Sequence, residues 1–172
     1  IVERCPAATA DLLDQRATMP DEATADALRL ALIEPDQPGH FGAALRLAAC
    51  LNTRLEVVEP CGFPLDERRI RRAAMDYAEQ VAFRRHAGLA PFLTSMTAEG
   101  RRVVLLSARA QTAYHRFTFR VGDVLAVGSE SRGAPPALVE RSVAVRIPIR
   151  AELRSLNVVT AAAMGLGEAL RQ

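Results

Sequence analysis

The clearest fold signal in this chain is the stretch Asp123-Val-Leu-Ala-Val-Gly-Ser-Glu-Ser-Arg-Gly133. Its apolar run from Val124 to Val127 predicts a buried strand, because a short apolar run bounded by turn residues fits a strand covered on both faces. The run stops at Gly128, and Gly133 closes a polar loop. A loop of this kind at the end of a buried strand is a typical ligand position in an open α/β sheet.

Two further segments extend this pattern toward the end of the chain. The run Val143-Ala-Val-Arg-Ile-Pro-Ile149 predicts another strand, which should end at Pro148. A helix of small residues is expected from about Leu156 to Leu170. We expect the loops after the two strands to lie side by side and to form a ligand crevice.

The earlier part of the chain alternates apolar runs with helical patterns, which predicts an α/β fold with a mostly parallel sheet and helices on both faces. The length of 172 residues fits one domain. We place that domain at residues 28–172 and treat residues 1–27 as an N-terminal appendage whose role is unknown. Predicted strands cover Leu28–Ile33, Thr53–Val58 and Arg102–Ser107, and predicted helices cover Phe41–Leu51, Glu67–Ala74 and Leu89–Thr97. Tyr77–Phe83 is expected to be a short strand or an irregular link, and Tyr114–Phe119 a short edge element.

The composition excludes several classes of protein. A hydrophobic share of 49% with 24% charged residues is typical of a folded globular chain. No apolar run has the length of a membrane span and the N-terminus does not resemble a signal peptide, so we expect a cytoplasmic protein. Cys5, Cys50 and Cys61 share no metal-ligand spacing, so we expect no metal. Cys50 falls on the apolar stripe of its predicted helix, and we expect it in the hydrophobic core.

Arginines crowd one short part of the chain, although the net charge is only +2. Such a cluster can bind the phosphates of a nucleic acid. It can equally be a solvated helix face, balanced by the neighbouring acidic residues. Both interpretations stay open. The cluster consists of Arg68, Arg69, Arg71, Arg72, Arg84 and Arg85.

Two common enzyme classes do not match. A dinucleotide-binding fold needs a G-x-G-x-x-G loop after its first strand, and the loop Pro35-Asp-Gln-Pro-Gly-His-Phe-Gly42 lacks that pattern. A serine hydrolase needs G-x-S-x-G, whereas Ser131 follows Gly128 by three positions and no histidine follows it in the chain. We therefore disfavour both.

Three stretches together resemble the three motifs of the SPOUT methyltransferases. They are Glu34-Pro-Asp-Gln-Pro-Gly-His-Phe-Gly-Ala-Ala-Leu-Arg46, Val127-Gly-Ser-Glu-Ser-Arg-Gly-Ala-Pro135 and Arg146-Ile-Pro-Ile-Arg-Ala-Glu-Leu-Arg-Ser-Leu-Asn157. Within that class, Val58-Glu-Pro-Cys-Gly-Phe63 and Arg71-Arg-Ala-Ala-Met-Asp-Tyr77 resemble the small tRNA wobble-nucleotide (cytidine/uridine) ribose 2′-O-methyltransferases.

The resemblance implies a C-terminal trefoil knot, an obligate homodimer and S-adenosyl-L-methionine as the cofactor. It implies an RNA ribose 2′-O-methyltransferase that acts on tRNA. Arg46 matches the arginine of the first motif and would grip a phosphate or ribose oxygen of the acceptor, because a guanidinium is a poor base but a good bidentate donor. The residues implied for cofactor binding are Leu106, Gly128, Glu130, Ile147, Ser155 and Leu156.

The chain also departs from the family pattern. His40 and Ala43 stand where the family usually carries asparagines, and Gly167 replaces a tyrosine of the tRNA methylases. The alternative is therefore a catalytically degenerate SPOUT-fold protein that binds RNA or dimerises. The small residues of the last helix fit close packing against a second copy, or equally against the chain's own sheet.

Overall fold

A computed structural model describes residues 27–65 and 83–172. The N-terminal appendage up to residue 26 and the helix expected at Glu67–Ala74 lie outside the described residues. So does the segment expected at Tyr77–Phe83, except for Phe83 itself. The strands are β1 Arg29–Ile33, β2 Arg54–Val58, β3 Phe83–His86, β4 Val103–Leu106, β5 Thr112–Ala113, β6 Val124–Val127 and β7 Val143–Arg146. The helices are α1 Pro38–Cys50, α2 Leu89–Ala98, α3 Pro136–Glu140 and α4 Val158–Arg171, with a 3₁₀ turn at Tyr114–Arg116.

The seven strands form one sheet in the order β3-β2-β1-β6-β4-β7-β5. Every neighbouring pair is parallel. The strand β6 lies at the centre, where Leu125 pairs with Leu30 of β1 and with Val104 of β4. All four residues of β6 are buried, as a strand covered on both faces requires. The predicted parallel α/β architecture is confirmed.

Helices cover both faces of the sheet. On one face, Phe41 and Leu45 of α1 and Leu166 of α4 share a core with the side chains of β1 and β6. On the other face, Phe92 of α2 and Leu138 of α3 pack against the opposite sides of the same strands. Because side chains alternate between the faces of a strand, the central strands supply both cores at once.

The small residues of α4 bring this helix close to its own sheet. A Cβ added at Gly165 would lie 2.8 Å from Cδ2 of Leu125 and 3.2 Å from Cδ1 of Leu106. Ala162 is fully buried beside them. Gly167 does not face the sheet, since nothing lies within 4 Å of a Cβ added to it. One part of the small-residue face therefore packs on the sheet, and another part remains open.

One local expectation was wrong, and one strand was not expected. Helix α1 begins at Pro38 rather than near Phe41, because proline fits the first turn of a helix, where its missing N–H costs nothing. Arg46 consequently lies in the third turn of α1. The strand β3 was not expected at Arg84 and Arg85.

Further differences concern the sheet edge and the cysteines. The strand near Tyr114 is only the two-residue β5, which lies just before that residue at the sheet edge. The strand β7 stops at Arg146, before Pro148. Cys50 is exposed at the end of α1 rather than buried, because its position falls outside the helix's inner stripe.

A buried polar network links the three strands β1, β2 and β3. Glu56 of β2 is fully buried, and its carboxylate accepts a hydrogen bond from Nη1 of Arg29 at 2.8 Å. The other oxygen of Glu56 lies 2.7 Å from Nε2 of His86. Arg29 also pairs with Glu99, just beyond α2, at 2.8 Å. These contacts tie one edge of the sheet to the helix above it.

Candidate active site

A cavity of about 670 Å³ lies beyond the carboxyl ends of β4, β6 and β7. This is the edge at which open parallel sheets bind their ligands. The strands β6 and β7 are not neighbours, because β4 lies between them. Their loops nevertheless border one space, as expected from the sequence. The lining residues are Leu106–Arg109, Val127–Ala134, Val139, Ile147, Ile149, Arg154–Leu156, Val158 and Ala161.

The structure brings together all six residues that the sequence assigns to cofactor binding. One ends β4, two belong to the glycine loop after β6, one follows β7, and two precede α4. Each of them borders the same cavity. The six are Leu106, Gly128, Glu130, Ile147, Ser155 and Leu156.

Arg46 occupies a different place. It is exposed on α1 and does not belong to the lining of the cavity. Only the beginning of α1 reaches the site, through His40 in the first turn. His40 lies about six residues earlier in the helix, which corresponds to roughly 9 Å along its axis. Ala43, the other departure from the family pattern, is exposed on the same helix.

Asp36 is a site residue that the sequence analysis missed. Its carboxylate accepts hydrogen bonds from Oγ of Ser129 at 3.0 Å, from the backbone N–H of Ser131 at 3.0 Å and from the hydroxyl of Ser131. These bonds join the loop after β1 to the glycine loop after β6. The serine hydroxyl and N–H donors stabilise the anion and lower the pKa of Asp36 to about 2.

The low pKa of Asp36 predicts how stability depends on pH. A carboxyl whose folded pKa lies below its unfolded value stabilises the protein above the unfolded pKa, here 3.8, and loses that contribution as pH falls toward about 2. We expect the melting temperature of Asp36→Asn to lie below that of the wild type at neutral pH. The gap should close between about pH 4 and pH 2. Thermal melts across this range test it, and a gap that persists at about pH 2 would contradict the role of Asp36.

The glycine loop closes tightly on itself. Ser129 and Gly133 form an isolated antiparallel bridge, and the N–H of Gly133 donates to the carbonyl of Ser129 at 2.8 Å. A Cβ added at Gly128 would lie 2.6 Å from the backbone nitrogen of Ala134 and from the carbonyl carbon of Gly133. The backbone of Gly128 therefore lies so close to the backbone of Gly133 and Ala134 that only a residue without a Cβ fits at this position.

This contact predicts a large effect of Gly128→Ala. The new methyl would meet backbone atoms, which cannot rotate away, so the loop must open and the cavity wall must move. We expect a loss of about 1–3 kcal/mol in unfolding free energy and a cofactor affinity at least about tenfold weaker. Urea denaturation and calorimetry measure the two. The control is Gly39→Ala, where nothing lies within 4 Å of the added Cβ; similar losses in both variants would contradict the explanation.

Asn157 connects α4 to the site. Its side-chain oxygen accepts from the backbone N–H groups of Val159 at 3.0 Å and Thr160 at 3.2 Å, so Asn157 is the N-cap of α4. Its side-chain nitrogen lies 2.9 Å from Nε2 of His40. Asn157 does not itself belong to the lining of the cavity. Ser155 instead borders the cavity.

Basic side chains surround the cavity mouth. Arg109, Arg132 and Arg154 all belong to its lining. Arg132 forms an ion pair with Glu34 at 3.1 Å. Cationic groups at the rim of a site favour a polyanionic substrate through long-range attraction.

The described part of the arginine cluster lies elsewhere. Arg84 and Arg85 belong to β3, at the sheet edge opposite β5, and pair with Glu99 and Glu59 respectively. These two arginines therefore fit a charge-balanced surface. The other four members lie outside the described residues.

Within residues 27–65 and 83–172, no group of three or more His, Cys, Asp or Glu side chains is placed to hold a metal ion. Over the same ranges, no helix combines the length and the apolar character of a membrane span. Burial raises the pKa of the Cys61 thiol to about 11, so this cysteine is a poor nucleophile at neutral pH.

The fold and the cavity define an α/β protein with a cavity of small-molecule size at the carboxyl ends of parallel strands. Comparison with known families narrows this class. Residues 27–167 match the SpoU rRNA Methylase family. The chain belongs to this family. The resemblance inferred from the three sequence motifs is thereby confirmed.

Individual relatives are similar over nearly their whole length. The tRNA (cytidine(34)-2′-O)-methyltransferase of Beijerinckia indica is 50% identical over 144 residues, which are 83% of this chain and 90% of the relative. The protein of the same name from Escherichia coli K12 is 34% identical over 148 residues, with 84% and 93% covered.

The chain is also similar to solved structures of methyltransferases. A structure described under "Structural insights into the 2-OH methylation of C/U34 on tRNA" has a TM-score of 0.79 and 37% identity, and the match covers 84% of this chain and 95% of that one. The AdoMet-bound rRNA methyltransferase of Sinorhizobium meliloti has a TM-score of 0.76 and 26% identity, with 84% and 56% covered.

Proposed function

We propose that this protein transfers a methyl group from S-adenosylmethionine to a ribose 2′-oxygen of tRNA, at cytidine 34. The observation that carries the proposal is the convergence of all six residues expected to bind the cofactor on one cavity. The substrate is supported by the names of the similar proteins from Beijerinckia indica and Escherichia coli. Family membership supports the class of reaction.

The cavity suits S-adenosylmethionine in size and in chemistry. Its volume of about 670 Å³ lies within the range of small-molecule sites. Leu106, Ile147 and Leu156 offer apolar walls for an adenine ring. Glu130 supplies a carboxylate for the cationic part of the ligand, and Arg109 supplies a guanidinium for its carboxylate. When bound, the cofactor provides a methyl group on a positively charged sulfur.

We assign Arg46 to the acceptor nucleotide. A guanidinium stays charged at neutral pH and cannot take up a proton, so its contribution is to bind and orient. Arg46 would hold a phosphate or ribose oxygen by two parallel N–H donors and so fix the 2′-hydroxyl for attack. Its exposed position outside the cavity lining is compatible with a contact to the RNA rather than to the cofactor.

The decisive experiment is methyl transfer to a defined tRNA. We expect the purified protein to incorporate labelled methyl groups into unmodified tRNA with a ribose at cytidine 34, and none into the same tRNA with 2′-deoxycytidine at that position. Equal labelling of both would place the methyl group elsewhere. Binding of S-adenosylmethionine without transfer to any tRNA would favour the degenerate RNA-binding protein.

A homodimer belongs to the proposal as well. The outer side of α4 leaves Met164 at 38% and Leu170 at 45% exposed, and the open Gly167 lies between them. A helix with exposed apolar residues beside a position without a side chain can receive a second helix closely. Light scattering is the test, since a monomer of 18.6 kDa at micromolar concentration would contradict it.

The proposal also includes a trefoil knot, a domain boundary after residue 27 and a cytoplasmic location. The knot would lie in the C-terminal half, where the glycine loop and the segment before α4 meet at the cavity. The catalytic domain would span residues 28–172, with residues 1–27 as an appendage. A variant that lacks residues 1–27 should still bind the cofactor, and loss of that binding would contradict the boundary.

A further inference from the structure

His40 forms a bridge between the two walls of the cavity. Its Nδ1 lies 3.1 Å from Oε2 of Glu130, and its Nε2 lies 2.9 Å from Nδ2 of Asn157. Glu130 borders the cavity from the glycine loop. Asn157 directly follows Ser155 and Leu156, which border it from the other side. One imidazole thus contacts Glu130 in one wall and Asn157, which directly follows the other wall in sequence.

The contacts of Asn157 determine which nitrogen of His40 carries the proton. The side-chain oxygen of Asn157 is occupied by the N–H groups of Val159 and Thr160, so its amide nitrogen faces the imidazole. An amide nitrogen can only donate, and Nε2 of His40 must therefore accept. The ring proton then sits on Nδ1, where it donates to the carboxylate of Glu130.

Protonation of His40 would change this arrangement. A proton on Nε2 would face the amide N–H₂ of Asn157, donor against donor, and that bond would be lost. The bond to Glu130 would become an ion pair and would persist. The titratable groups around the ring are Glu130 on the glycine loop and Asp36 on the loop after β1, and both border the same small cavity of about 10 Å³ as His40.

We propose that His40, as its Nδ1–H tautomer, is a positioning residue that holds the two walls of the cofactor cavity together and makes cofactor affinity depend on pH. The inference rests on the proposed function, because it takes S-adenosylmethionine as the ligand. It is specific to a histidine at this position, since an asparagine side chain does not titrate near neutral pH. His40 acts through Glu130 and Asn157 and need not touch the ligand.

The variant His40→Asn removes the acceptor of the imidazole and stays neutral at every pH. Its amide can donate to Glu130, but it offers no acceptor at the position of Nε2. We measure the Kd for S-adenosylmethionine by calorimetry and compare the variant with the wild type at each pH. We expect binding about three- to tenfold weaker in the variant at about pH 8, as the loss of one hydrogen bond implies. The difference should be smaller at about pH 5, because a protonated ring no longer accepts from Asn157.

The result is expressed as the ratio of the two Kd values at each pH. Effects of pH on the ligand, and on groups that both proteins share, cancel in this ratio. The matched control is His115→Asn, an exposed histidine outside the cavity lining, whose ratio to the wild type should stay near one. A His40→Asn ratio that does not change with pH would overturn the inference. Absence of binding by the wild type would instead overturn the proposed function.

A second measurement does not depend on the cofactor. Nitrogen-15 NMR of the free wild-type protein near pH 8 reports which ring nitrogen carries the proton, and the signal missing from His40→Asn identifies His40. We expect the Nδ1–H tautomer. The Nε2–H tautomer would overturn the inference, whatever the Kd of the variant.

Discussion

Replacing Arg46 with alanine should lower the rate of methyl transfer to tRNA at least about 100-fold, the scale of loss expected when a reacting group is no longer oriented. The Kd for S-adenosylmethionine should change by less than about twofold, because Arg46 does not border the cofactor cavity. The reason is geometric: the side chain is exposed on the third turn of α1, away from the glycine loop. Single-turnover kinetics and calorimetry on the same preparation separate the two effects.

The matched variant is Arg46→Lys. Lysine keeps the positive charge but cannot form two parallel hydrogen bonds with one phosphate or ribose. If Arg46 works by bidentate orientation, Lys should restore RNA affinity much more than the rate. Full activity of Arg46→Lys would show that charge alone is needed. Equal loss of cofactor binding and transfer in Arg46→Ala would contradict the assignment to the acceptor.

Replacing Glu56 with alanine should cost about 3–5 kcal/mol of unfolding free energy, the usual result of removing one partner from a buried ion pair. Glu56 is fully buried, and it is bonded to both Arg29 and His86, which are 2% and 5% exposed. Without the carboxylate, the guanidinium of Arg29 loses its buried acceptor on β2 and keeps its pair with Glu99, and His86 loses its bond to Glu56. Urea denaturation measures the loss, and the melting point should fall by roughly 10 °C.

A control for Glu56→Ala lies at the exposed end of the same network. Arg84 pairs with Glu99 at 2.7 Å, but its side chain is 47% exposed. An ion pair in contact with water contributes little, so Arg84→Ala should cost less than about 1 kcal/mol. A small effect of Glu56→Ala would mean that water reaches the buried carboxylate. Comparable effects of the two variants would contradict the distinction between buried and exposed pairs.

Elements with a strong local pattern could be predicted from the sequence. The buried strands β1, β4 and β6 are runs of apolar residues with turn residues after them, and α2 ends before Gly100, whose φ of +64° favours glycine. The edge strand β3 was not predicted, because two of its four residues are arginines. At the edge of a sheet such charged side chains reach water, so the apolar pattern that marks a strand is missing.

The candidate site likewise contains residues that could be predicted from the sequence and one that could not. Five of its six expected cofactor residues could be named because they belong to motifs that are continuous in sequence, and Leu106 because it lies at the end of a predicted strand. Asp36 could not, because its partner Ser131 lies 95 positions away. The contact arises from the parallel pairing of β1 with β6, which places the two strand-end loops side by side. No local pattern encodes which strands become neighbours.

The amino-acid sequence was sufficient to identify the glycine loop Gly128–Gly133, the start of the last helix and the order of the three motifs, since turn and capping chemistry is local. The folded chain added what depends on long-range pairing. It placed β4 between β6 and β7, so that three strand ends rather than two border the cavity. It also placed His40 against Asn157, 117 positions away, because α1 and α4 pack on the same face of the sheet.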